Sequence, residues 1–344
     1  MKKLIALFLS LCLLIGLCAC TQEQPTAETT ISTQPIETTV DTQPATDAPT
    51  AESSITPLLY EVTDASGNTI WVMGSIHLGD DYFYPMPDYV MNAYNSADVL
   101  AVEFDAIAFA MDFAATIKLA DSMLYADGSK FSDHVSPDLY ERAVQALTDS
   151  DCYMEDLENY TVSAWSQLFD ELLIYTTELS PDLGVDMYFL SQAYEDNKAV
   201  ASIESAEFHM NLLNSFSDPL QELLLEDSLN NFTNPETYRE AMNTLVTCWA
   251  SGDEAAMVAI LDEEDDGFET DEEKALYAEY HKAMSTDRNI NMTDYAENAL
   301  ATGQQTFIVV GTAHIVGEGG LVDLLTQRGY TVTCLGGTPM ANAA

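Results

Sequence analysis

The chain predicts an α/β fold: a mostly parallel central sheet with an N-terminal hairpin and a large helical layer or insertion. Three observations carry this. Short apolar, β-branched runs recur along the sequence. Segments with helical spacing separate them. The stretch 205–302 keeps helical spacing with no strand-like run.

The first two runs, 59–62 and 69–73, flank Asp64-Ala65-Ser66-Gly67-Asn68, a turn signal, and so form the hairpin. Further strands are expected at 99–102, 199–203, 306–310 and 331–335. Helical spacing covers 106–126, 136–149, 160–177, 186–196, 205–230, 235–250, 253–262, 271–284, 288–302 and 319–328. Connections this long between strands are what parallel pairing requires.

Ahead of this part stand two different segments. Lys2 and Lys3 precede an apolar run from Leu4 to Leu17, too short for an ordinary membrane span and suited to a signal peptide over 1–19. Leu17-Cys18-Ala19-Cys20 then reads as a lipobox, with Cys20 as the lipidated residue. Its acyl chains (palmitate) would anchor the protein to the cell membrane on the extracellular face. The alternative is a conventional secretory signal. Residues 21–57 hold eleven Thr and five Pro, with no aromatic residue, Lys or Arg. Such a segment cannot bury apolar surface, so 20–57 is expected to be a disordered stalk ahead of a domain over 58–340.

Charge excludes one class of partner. Eleven Lys and Arg face 57 Asp and Glu, a formal net charge of −46 over 344 residues. A phosphate backbone would be repelled, so no nucleic acid is expected as a partner. Beyond Cys20, the cysteines Cys152, Cys248 and Cys334 are too few and too widely spaced for a disulfide framework. One bridge at most could form among them, and the sequence leaves it open.

The chemistry gathers at strand ends. Gly74-Ser75-Ile76-His77 and Gly311-Thr312-Ala313-His314 each begin where an apolar run stops. The Gly is expected to permit a sharp exit from the strand. Two other runs end in Glu103 and Glu204. Sites in open parallel sheets form beyond the carboxyl ends of strands. Two imidazoles and a carboxylate make a common divalent-metal set, and a second carboxylate can act as general base. His134, His209 and His281 lack this setting and read as surface or helix residues.

The segments Trp71 to Gly79, Ala101 to Asp105, Gly184 to Leu190, Ala201 to Ser205, Asp287 to Asn289, Val310 to Leu321 and Arg328 to Val332 together resemble the TraB/GumN family, which includes the animal Tiki metalloproteases. The resemblance implies a metal-dependent hydrolase, most plausibly a peptidase acting on peptide or protein substrates. It implies manganese or cobalt as cofactor, with zinc also compatible. It also implies site residues His77, Glu103, Arg288 and His314. With Glu204 these are the expected catalytic residues, and His77, Glu103 and His314 the expected metal ligands. Glu103 or Glu204 would take a proton from a water activated by the metal. Arg288, one of four arginines, would pair with a substrate carboxylate or a developing oxyanion. Two alternatives stand beside this: a non-catalytic metal-binding surface lipoprotein, and a hydrolase of a non-peptide bond such as an ester.

Three further features read as structural. Asp186 is expected to be a helix N-cap. Asn289 is expected to be structural or to position the arginine. The run Asp262 to Gly267 with Glu273 approaches a calcium loop, but an acidic turn is the expectation.

Overall fold

The computed structural model describes residues 53–262 and 270–340. Six strands form one mixed sheet: β1 (Leu59–Thr63), β2 (Thr69–Ser75), β3 (Val99–Val102), β4 (Ala199–Ser202), β5 (Thr306–Gly311) and β6 (Thr331–Gly336). Their order is β4-β3-β5-β2-β1-β6. β2, β5, β3 and β4 run parallel, while β1 pairs antiparallel with both β2 and β6. All six expected strands are present, and the α/β class with a large helical layer holds.

The hairpin turn shows why its register is fixed. The Asp64 carboxylate accepts hydrogen bonds from the backbone N–H of Ser66 and Asn68, both at 2.8 Å. Gly67 takes φ = 88°, a left-handed conformation costly for any side chain. Thr63 therefore faces Thr69, and the pairing runs to Leu59 opposite Met73. That register turns Leu59, Val62, Ile70 and Val72 into the core. Each such side chain contributes about 1.5–3 kcal/mol on burial.

The helical reading needs three corrections. The expected helix 106–126 is two, Ala106–Met111 and Phe113–Ser122, because Asp112 caps the second through the N–H groups of Ala114 and Ala115. The expected helix 205–230 is also two, Ala206–Asn214 and Asp218–Thr233, with Pro219 in the first turn of the second. A helix over Asp88–Ser96 was not foreseen: it is one short element that opens directly after Pro87. Elsewhere the expected and observed helices agree within a few residues. A π-helical turn, Lys282–Thr286, joins Asp271–His281 to Asp287–Thr302.

The largest core packs helices on both sides of the sheet. A second core, around Phe131, Trp165 and Phe169, lies within the helical layer. Cys152, Cys248 and Cys334 are free thiols. The acidic loop falls largely at 263–269, outside the described residues. Glu273 caps its own helix instead, accepting from the Thr270 backbone N–H at 2.9 Å. Among the described residues no helix is long and apolar enough to cross a membrane.

Candidate metal centre

Parallel pairing brings four strand ends to one edge. Ser75 lies opposite Gly311, and Val102 opposite both Val309 and Ser202. The residues that follow, His77, His314, Glu103 and Glu204, therefore emerge together. The two motif glycines serve close approach rather than a sharp exit, and neither has a positive φ. A Cβ on Gly74 would stand 2.5 Å from Thr312 Oγ1. A Cβ on Gly311 would stand 3.3 Å from Glu103 Oε1, 3.6 Å from His314 Cδ2 and 3.9 Å from His77 Nε2. Three expected site residues thus converge on the bare face of Gly311.

His77 is 6% exposed, and neither ring nitrogen has a hydrogen-bond partner. Its Nδ1 lies 3.1 Å from Asp186 Oδ1, an ion-pair contact without hydrogen-bond geometry. Asp186 is not the N-cap expected of it. Gly184 holds that position, and Asp186 sits buried in the first turn of Val185–Glu195, facing the histidine. Burial alone would lower the His77 pKa, but the Asp186 carboxylate, with Glu103, lifts it to about 9.

His314 is held differently. Asn289 donates through Nδ2 to the Gly319 carbonyl at 2.9 Å. That contact fixes the amide, so its Oδ1 faces His314 Nδ1 at 2.7 Å and accepts the ring proton. The neutral ring keeps its lone pair on Nε2. Burial, with Arg288 nearby, lowers the His314 pKa to about 4. Asn289 therefore positions the histidine and not the arginine.

Arg288 also differs from expectation. It is 2% exposed and lies between the two glutamates. Its Nη2 donates to Glu103 Oε2 at 2.6 Å and to Glu204 Oε2 at 2.8 Å, and its Nε to Glu204 Oε1 at 3.0 Å. Those bonds take up its charge inside the protein, so no part of it lines the cavity where a substrate carboxylate would lie. Burial would raise the Glu103 pKa, but Arg288 and then the histidines hold it far below the carboxylate range. Glu204 is lowered against burial by His209 and Arg288.

His209 is a helix residue, as read, but it is buried in the site. It is 2% exposed, and its Nε2 meets Glu204 Oε2 at 2.5 Å. A signal existed: Ser205 caps the helix Ala206–Asn214 by accepting from the Phe208 N–H. That cap turns the first helical turn back over the strand end, where residue 209 meets Glu204. His134 behaves as read, stacked on Tyr125 at 4.0 Å. His281 is exposed at the cavity described next.

Glu103, Glu204 and His209 offer ligand atoms within 4.8 Å of one another, a buried group that can hold a metal ion of undetermined identity. Arg288 lies against the same three side chains, 3.4 Å from His209 Nε2. The expected set of His77, Glu103 and His314 shares Glu103 with this group. Among the described residues that set does not bring three ligand atoms within the same reach, but His77 Nε2 is without a partner, and Asp186 and Asn289 stand as outer partners at Nδ1 of the two imidazoles. Above the histidines a cavity of about 730 Å³ opens to solvent.

A parallel sheet with paired imidazoles and carboxylates beyond its strand ends defines an α/β protein with a candidate metal centre. The chain belongs to the TraB/PrgY/gumN family, whose model matches residues 58–334. No curated protein and no solved structure matches it.

Proposed function

We propose that the protein is a membrane-tethered, extracytoplasmic, metal-dependent hydrolase acting on peptide or protein substrates. The observation that carries this is His77: a buried imidazole set at Nδ1 by Asp186, with its Nε2 unpartnered beside Glu103 and His314. His77 and His314 would hold the ion through Nε2, with Glu103 as the carboxylate ligand. Manganese or cobalt suits this mixed set, and zinc is compatible. A divalent ion there supplies Lewis acidity and lowers the pKa of water. The chain's own groups do the rest. Asp186 and Asn289 orient the imidazoles. Arg288 keeps Glu103 ionised and fixed. Glu204 is the remaining carboxylate, held with its proton-accepting oxygens toward Arg288 and His209. Lipidation at Cys20, as the lipobox implies, would tether this domain at the outer face of the cell membrane.

The test is metal content of the full chain in detergent, after manganese loading and exhaustive dialysis. The His77→Ala/His314→Ala double variant controls for adventitious binding to the acidic surface. About one equivalent in the wild type, lost in the variant, is the expected result. Equal content in both would remove the metal from the proposal. Cys20→Ala should move the protein from the detergent phase to the aqueous phase on partition.

A further inference from the structure

The cavity above the histidines has a chemical character that the catalytic reading does not use. Its walls are Trp249 from one helix, Met257, Val258 and Leu261 from the next, and Met284 and Ile290 from the segment that carries Arg288. Trp249 is fixed in place by donating from Nε1 to the Gly74 carbonyl at 2.9 Å. The methionines add adaptable surface that fits apolar groups of several shapes. A volume of about 730 Å³ admits more than one side chain.

Among the described residues no Lys or Arg lines this cavity, whereas Glu318 does. Arg288 lies beneath the floor with its guanidinium taken up by Glu103 and Glu204. A substrate carboxylate against this wall would meet no Lys or Arg side chain and would face Glu318 and the field of a chain of net charge −46. An apolar, uncharged segment would replace water against the wall at no such cost.

We infer that the substrate is a peptide with bulky apolar, uncharged residues beside the scissile bond, cut away from its C-terminal carboxylate. This rests on the hydrolase reading above. The site is thus that of an endopeptidase for apolar sequences and not of a carboxypeptidase.

The experiment incubates the manganese-loaded full chain with a mixture of synthetic peptides covering all residue classes and locates the cuts by mass spectrometry. Internal cuts flanked by Leu, Ile, Met or Phe are expected. Val258→Asp and Leu261→Asp should slow cleavage of those peptides by about tenfold or more while keeping the manganese content. Both side chains are half-buried wall residues outside the metal centre. Cuts beside acidic residues, or stepwise release of C-terminal residues, would overturn the inference and leave the hydrolase reading standing. If nothing is cut, the hydrolase reading fails on its own, and calorimetric binding of N-acetyl-Leu-Leu-Phe-amide decides the rest. Binding weakened about tenfold by Leu261→Asp sustains the apolar site. Equal binding by both proteins, or none, removes it.

Discussion

Arg288 Nη2 stands 2.6 Å from Glu103 Oε2 and 2.8 Å from Glu204 Oε2, so one buried guanidinium neutralises the ends of β3 and β4. Against burial, Arg288 is the leading influence that keeps Glu103 ionised, and it shares that role with His209 at Glu204. Arg288→Ala should therefore destabilise the fold by about 3–5 kcal/mol, the usual cost of stranding a buried charge. Urea unfolding measures this. Manganese should restore part of the loss, because Glu103, Glu204 and His209 would then share a cation again. A variant as stable as the wild type would show that the guanidinium is not the counter-charge described.

Asp186 is the source of the high His77 pKa. In Asp186→Asn, burial is left as the leading influence, and His77 should titrate below its ordinary value instead of near 9. Histidine NMR on the metal-free protein reads this directly. Manganese affinity should fall by about 10–100-fold, as for loss of an outer partner of a ligating imidazole. An unmoved His77 titration would remove Asp186 from this role.

Gly311→Ala separates the site from the fold. The new methyl would press on Glu103 Oε1 at 3.3 Å while the core strand β5 stays paired. Destabilisation of about 1–3 kcal/mol is expected, together with weaker manganese binding. Melting and metal titration on the same sample compare the two. Full manganese affinity in the variant would mean that the Gly311 face is not the metal site.

The helical layer predicts a pH dependence. Burial raises the pKa of Asp170 well above its ordinary value, that of Glu171 to about 7 and that of Asp227 to about 6. Between the unfolded and folded pKa values the native state binds more protons than the unfolded chain. Stability is then highest below the unfolded values and falls as pH rises through about 6 to 7. The melting temperature should be lower near pH 8 than near pH 5. The net charge pushes the same way, so Asp170→Asn is the control. Its Oδ2 has no hydrogen-bond partner in the native protein. The variant should melt higher at the upper pH with a smaller spread, and an unchanged spread would assign the effect to net charge alone.

Much of this was legible along the chain because it is local. Alternating and β-branched runs state each strand, and Asp64 to Asn68 states the turn. His77, Glu103, Glu204 and His314 were visible because each comes within a few residues of a strand end, so naming the strand also places the residue. The breaks at Asp112 and Pro219 carry their own signals in capping and proline chemistry, and the helical spacing on either side obscured them.

The partners of His209, Asp186 and Asn289 were hidden for a different reason. Each acts on a partner distant in sequence or around a helical turn: Glu204, His77 and His314. Arg288 was recognised but its direction was not, because whether a guanidinium faces solvent or two carboxylates depends on the depth at which its helix packs. By itself the sequence determined the sheet, the order of its elements and the strand-end residues, since hydrophobic period and turn chemistry are properties of neighbours along the chain. Only the tertiary structure decided which nitrogens stay unpartnered, which charges cancel and what lines the cavity. Those outcomes depend on burial and on contacts between segments as far apart as Glu103 and Arg288, which no local pattern encodes.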